Sequence, residues 1–303
     1  MNNILISVVG PTAIGKTALS IKLAQHFNAE IISADSRQFF KEMTIGTAVP
    51  STEELKSAPH HFIQHKSIFE SYSVGDFERD AIDRLKILFE KTPVAIMVGG
   101  SGLYVNAVNK GLDYFPEVDA NIRIILNKQL ESEGLTVLQN QLRLLDLTTY
   151  NKIALDNPHR VIRALEICLG TGLPYSSFIT NTNKERSFKT ITIGLDADRP
   201  VIYDRINQRV DIMVANGLCE EAKNLHPNKA LNALNTVGYK ELFKYFEKEY
   251  TLDFAISEIK KNTRRFAKRQ FTWFKKDNAI TWFNYKTESN TIVDFLENET
   301  KKI

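Results

Sequence analysis

Residues 4–17 read ILISVVGPTAIGKT. An apolar, β-branched run passes into G-x-x-x-x-G-K-[ST], and the following ALSIKLAQHF carries a helical apolar pattern. Strand, glycine-rich loop and helix in that order form the setting in which such a loop cradles phosphate. Gly10 and Gly15 let the backbone turn so that its N–H groups converge on phosphate oxygens, and the helix starting near Lys16 aims its positive dipole end the same way. The candidate diphosphate-binding residues are Gly10, Pro11, Thr12, Ala13, Ile14, Gly15, Lys16 and Thr17, with Lys16 as the cation and the Thr17 hydroxyl as a ligand for Mg²⁺. The loop recognises phosphate and not adenine, so a diphosphate on any organic group fits it equally well.

Two further apolar runs, EIISAD (30–35) and VAIMVGG (94–100), read as buried parallel strands, and TITIGL (190–195) as a return to the same sheet. Helical patterns separate the first three: Leu19, Leu23 and Phe27 share one face of 17–27, and Phe77, Ala81 and Leu85 one face of 76–90. This alternation predicts an α/β fold, a P-loop-containing parallel sheet core flanked by helices. Between 115 and 188 no convincing strand occurs, and Asn157-Pro158 opens a helix over HRVIRALEICLG. The expected organisation is a core of 1–114 and 189–303 with a helical domain, 115–188, inserted into it.

The 303 residues are 43% hydrophobic and 25% charged, as in an ordinary globular protein. The N-terminal apolar run is short and lacks a cationic leader, so neither a signal peptide nor a membrane span is expected, and a cytoplasmic location is. Cys168 and Cys219 lack metal-ligand spacing and read as small apolar residues. Three histidines in PHHFIQH (59–65) have no neighbouring carboxylate or cysteine to complete a ligand set, which makes a metal site the weaker reading.

Asp35 ends the second strand, and in open α/β sheets the carboxyl edge is where ligands bind. It suits a carboxylate that steers Mg²⁺, a general base, or simply a helix cap. Its neighbouring strand is expected to be the one ending in the phosphate loop. Ser36, Arg37 and Gln38 extend a polar surface from the same strand end, with side chains of the type that read nucleobases. GGSGLY (99–104) permits close backbone approach and offers the Ser101 hydroxyl, although a tight turn explains it as well. In 260–276 eight Lys or Arg occur among seventeen residues with no acid, and His159, Arg160 and Arg163 form a second basic cluster. Two such patches suggest a clamp on an extended polyanion, nucleic acid above all.

A nucleotidase also needs an apolar strand ending in a metal-ordering Asp, and VAIMVGG ends in Gly. Asp35, after EIISA, is the only candidate for that Asp, which leaves open a loop used for a diphosphate that leaves instead of a γ-phosphate that transfers. In order along the chain, GPTAIGKT, DSRQ, GGSGLY, NPHRVIRALE, RINQRVDIM, TVGYKE and RRFAKRQFTWF resemble the tRNA dimethylallyltransferases, also called isopentenyl transferases, of the bacterial type.

That resemblance implies transfer of a dimethylallyl group from dimethylallyl diphosphate to N6 of adenosine 37, in tRNAs reading codons that begin with U, with diphosphate as the second product. It implies Asp35 as the base, Thr17 as an assistant at the reacting centre, and Arg209 as a further diphosphate ligand beside Lys16 and Mg²⁺. Asp35, Ser36, Arg37, Gln38, Ser101, Arg123, the stretch His159, Arg160, Val161, Ile162 and Arg163, and Lys268, Arg269 and Gln270 fall at positions that contact the tRNA anticodon arm, and a monomer is implied. Ser101 stands where Thr is more usual and Phe40 where Tyr is common. The competing readings are a P-loop small-molecule or nucleotide kinase, and an RNA-binding module with a degenerate loop.

Overall fold

The computed structural model describes residues 3–180 and 184–302. Residues 1, 2, 181–183 and 303, which the sequence-derived domain ranges include, lie outside the described residues. By compactness the chain divides into two units, Met1–Lys110 with Glu185–Ile303, and Gly111–Lys184.

The first unit is built on six strands, β1 (Ile4–Val9), β2 (Ile31–Ser33), β3 (His60–His61), β4 (Val94–Val98), β5 (Lys189–Asp196) and β6 (Thr281–Asn284). All pairings are parallel, in the order β3-β2-β4-β1-β5-β6. Both faces are covered: Leu5 and Val9 enter one apolar cluster with Ala95 and Met97, while Ile4, Ile6 and Val8 enter the other with Val94, Ile96 and Val98. Burial on both sides is why β1 and β4 are near-continuous apolar runs, broken only by Ser7. Helices α1 (Lys16–His26), α2 (Thr52–Ser57), α3 (Val74–Phe89) and α4 (Gly102–Lys110) connect the first strands. The start of α3 is fixed by Ser73, whose hydroxyl accepts from the Asp76 amide while Asp76 caps in return.

The strand order corrects one expectation. β4, not β1, lies beside β2, so the GGSG turn stands between the phosphate loop and Asp35. Strand order depends on long-range pairing, and no local run encodes it.

The second unit packs α5 (Ala120–Glu133), α6 (Leu135–Leu145), α7 (Leu147–Lys152) and α8 (Pro158–Thr171) around Leu126, Leu138, Leu142, Val161 and Leu165. The Asn157 side chain caps α8, Pro158 opens it, and left-handed Gly172 ends it.

After β5 the first unit resumes with α9 (Arg199–Ala215), α10 (Leu218–Leu225), α11 (Tyr239–Phe246), α12 (Leu252–Phe274) and, beyond β6, α13 (Ser289–Lys301). No helix among the described residues is long and apolar enough to cross a membrane.

Candidate active site

Three strand ends meet at the carboxyl edge of the sheet. β1 passes through Gly10, at φ +140° and with its Cβ position 2.7 Å from the Leu195 carbonyl, into the loop that ends at left-handed Gly15, the N-cap of α1. A side chain at residue 10 is excluded both by backbone conformation and by β5. The Lys16 ammonium folds back on the Pro11 carbonyl, 2.8 Å away. Desolvation pulls its pKa down to about 8, Asp35 opposing and Arg209 reinforcing the shift. The Thr17 hydroxyl makes no hydrogen bond to another described residue and lines the cavity above the loop.

Gln270 on α12 fixes this loop from the far end of the chain. Its Oε1 accepts from the Thr12 amide (2.9 Å) and its Nε2 donates to the Gly100 carbonyl (2.9 Å). A Cβ on residue 100 would lie 2.2 Å from that Nε2, so Gly100 is required for the approach. Gln270 is buried, and its amide is committed to joining the phosphate loop to the GGSG turn. Sequence spacing places it with the basic residues Lys268 and Arg269, which are exposed.

α9 supplies two arginines one turn apart. Arg209 lines the cavity and makes no hydrogen bond or ion pair with a described residue; burial and the adjacent Arg205 draw it below the usual guanidinium range, with Glu54 and Asp35 opposing. Arg205, which the sequence reading overlooked, donates from Nε to the Ala13 carbonyl (2.7 Å) and lies over the Tyr285 ring. Its spacing of four from Arg209 was the available signal.

Past β2, the Asp35 carboxylate accepts from the Arg37 amide (3.0 Å). The Ser36 and Ser101 hydroxyls are 3.2 Å apart, linking the ends of β2 and β4. Arg37 and Gln38 are not the free hydrogen-bonding surface expected of them. Arg37 donates to the carbonyls of Asn232, Ala233 and Asn235, and the Gln38 amide to those of Thr47 and Ala48. Both close turns around the site, Arg37 pinning the 232–235 turn and Gln38 the 47–48 turn.

Two cavities open here. One, of about 570 Å³, lies over the phosphate loop and is lined by Lys16, Thr17, His60, Arg205 and Arg209. The other, of about 540 Å³, is lined by Tyr104, Phe266 and Trp273 together with Arg37, Lys240 and Arg269. They share Thr12, Asp35, Thr47, Ala48, Gly100, Arg209 and Met213 as common wall. Asp35 thus stands where an anion-binding chamber meets one with aromatic walls and a basic rim. The Thr17 hydroxyl is an oxygen donor of the kind Mg²⁺ takes, with phosphate and water completing its shell.

The basic helix α12 is less bare than its sequence implies. Acids outside the basic stretch 260–276 compensate part of it: Lys260 pairs with Asp211, Lys261 with Glu258 on the same helix and Lys275 with Asp196. Lys268 and Arg269 have no ion-pair partner among the described residues, and Arg269 lies over the Phe266 ring.

In the helical unit His159 and Arg160 are exposed, and Arg123 and Arg163 share the Glu166 carboxylate, at 3.2 and 2.7 Å. Val161 and Ile162 face the core of that unit, so the stretch offers a partner only the side chains of its polar members. Helical spacing turns those two positions inward. Two histidines of PHHFIQH are structural in their contacts, while His60 lines the cavity over the phosphate loop: His61 Nε2 lies 2.6 Å from the Glu30 carboxylate, and His65 packs edge-on to Phe39, Phe62 and Tyr72.

A family model described as IPP transferase matches residues 38–277. The chain is 62% identical to a tRNA dimethylallyltransferase of Christiangramia forsetii, over 99% of each chain, and 59% identical to one of Flavobacterium johnsoniae, over 98% of each. Among solved structures, a full-length tRNA isopentenylpyrophosphate transferase of Bacillus halodurans superposes with a TM-score of 0.72 at 38% identity, covering 99% of this chain and 98% of that one. A eukaryotic dimethylallyltransferase acting on tRNA superposes with a TM-score of 0.83 at 26% identity, covering 98% of this chain and 80% of the other. With the phosphate loop, the strand-end carboxylate and the paired arginines in place, the chain belongs to the IPP transferase family.

Proposed function

We propose that this enzyme transfers a dimethylallyl group from dimethylallyl diphosphate to N6 of adenosine 37 in tRNAs reading codons that begin with U. The observation that carries this reading is the shared wall of the two cavities at Asp35. The diphosphate lies over the loop, held by its amides, Lys16 and Arg209, with Arg205 bracing the loop from behind. Bound at Thr17, Mg²⁺ would supply further neutralisation of the leaving diphosphate. The adenine, extruded from its stack, enters the second cavity among Tyr104, Phe266 and Trp273.

An adenine amine is a weak nucleophile, because its lone pair is delocalised into the ring. The allylic partner compensates: its C–O bond ionises readily when the departing charge is stabilised. The N6 nitrogen forms the new bond to the allylic carbon, the C–O electron pair leaves with the diphosphate, and Asp35 takes the N6 proton. Lys268, Arg269, His159, Arg160, Arg163 and Arg123 supply charge toward the phosphates of the anticodon arm, and Ser36 and Ser101 line the path to the base. The enzyme works as a cytoplasmic monomer in this account.

The test is incubation of the purified protein with Mg²⁺, dimethylallyl diphosphate and unmodified tRNA, followed by digestion and mass spectrometry of the nucleosides. Adenosine carrying one dimethylallyl group, mapped to position 37, is the expected product. Hydrolysis of ATP in a parallel tube, with no prenylated nucleoside, would return the loop to a kinase.

A further inference from the structure

The carboxylate of Glu221, in the first turn of α10, collects four donors. Its Oε2 accepts from the amides of Thr44 and Ile45 (3.0 and 2.8 Å), and its Oε1 from the Gly46 amide (2.9 Å) and the Tyr239 hydroxyl (2.7 Å). On the other side of the same loop, Gln38 Nε2 donates to the carbonyls of Thr47 and Ala48 (3.2 and 2.8 Å) and its Oε1 accepts from Ser33 on β2 (3.2 Å). Loop 44–48 is therefore tied at one end to α10 and at the other to the strand that presents Asp35. Within it Ala48 adopts φ +51°, a left-handed conformation that a residue with a Cβ rarely takes and that persists only when its surroundings impose it.

Thr47 and Ala48 belong to the wall shared by the two cavities. On the transfer reading above, on which this inference rests, the reacting allylic carbon has to lie at that wall, between the diphosphate and the base. We propose that Glu221 is a positioning residue: its carboxylate fixes loop 44–48 as the wall of the reaction junction, and that wall limits the length of the allylic chain admitted. A carboxylate suits the task where an amide does not. Two oxygens serve four donors here, whereas a glutamine offers one oxygen and turns an N–H₂ group toward amides that are themselves donors.

A variant that merely folds less well loses activity toward every allylic diphosphate by the same factor, so the ratio between two chain lengths isolates the wall. The experiment measures kcat/KM for dimethylallyl and geranyl diphosphate, at saturating tRNA, in the wild-type enzyme, Glu221→Gln and Tyr239→Phe. The wild type should strongly prefer the five-carbon chain. In Glu221→Gln that preference should fall by about tenfold or more, the scale on which an apolar pocket separates chains of different length. Tyr239→Phe removes one donor of four and leaves the carboxylate, so its preference should fall in the same direction by a smaller factor. A wild type that transfers neither chain defeats the transfer reading itself. A wild type that uses both chains equally, or variants that keep the wild-type ratio whatever their rates, would overturn the role assigned to Glu221. If Glu221→Gln does not fold, the ratio in Tyr239→Phe decides.

Discussion

Raising the pH above 8 should discharge Lys16 in the empty enzyme and weaken diphosphate binding, although the lysine is far below its ordinary titration range. In the free loop the ammonium is desolvated and has the Pro11 carbonyl as its hydrogen-bond partner. The fall in pKa from 10.5 to about 8 corresponds to about 3 kcal/mol of lost preference for the charged form. A bound diphosphate restores that preference, so binding above pH 8 takes up a proton. Affinity should be level below pH 8 and then fall about tenfold per pH unit, or about 30-fold by pH 9.5.

Calorimetric titration with 3-methylbutyl diphosphate, which has no allylic double bond to ionise, measures this directly in buffers of different ionisation enthalpy. The second ionisation of the ligand, near pH 6, is about nine-tenths complete at pH 7 and complete above pH 8. Net proton uptake on binding should rise from about zero at pH 7, where the ligand releases about as much as Lys16 takes up, to about nine-tenths at pH 9. Stability has the matching sign. The folded pKa is depressed, so the empty wild-type protein carries the full penalty below pH 8 and loses it between pH 8 and 10.5. Lys16→Met should therefore stabilise the empty protein at neutral pH while binding diphosphate weakly and without pH dependence. Affinity that stays level from pH 7 to 9.5, with no proton uptake, would refute the reasoning.

Two further substitutions address the other supports of the site. Gln270→Ala leaves the Thr12 amide and the Gly100 carbonyl without their partner, which should cost roughly 1–3 kcal/mol in thermal or denaturant unfolding and lower turnover as the loop loosens. Arg209→Ala removes a cation aimed at the leaving group, and should lower kcat by roughly 10²-fold while tRNA affinity, measured by filter binding, stays within twofold of wild type, roughly.

The core strands were legible because a parallel sheet buried on both faces writes itself as ILISVV and VAIMV. β3, two histidines at one edge, and β6, the polar-flanked TWFN at the other, have no such run, and neither was anticipated. The phosphate loop was legible for a different reason: its work is done by backbone geometry, which glycine spacing encodes locally. Gln270, Arg205 and Glu221 act through contacts with residues as many as 258, 192 and 177 positions away, and the local sequence does not encode which partners they meet. The same limit explains Arg37 and Gln38. Their residue types suit base recognition, yet the turns at 232–235 and 47–48, visible only in the folded chain, claim them first.

The claim on which the account turns is that Asp35 stands between both substrates and moves the proton without holding either one. Rapid-quench single-turnover measurement on wild-type enzyme and Asp35→Asn, with enzyme saturating over tRNA and dimethylallyl diphosphate saturating over both, separates chemistry from binding. Asp35→Asn should bind tRNA and diphosphate with near wild-type affinity and transfer the dimethylallyl group about 10²- to 10⁴-fold more slowly. Transfer at the wild-type rate, or a defect confined to the binding of one substrate, would contradict it.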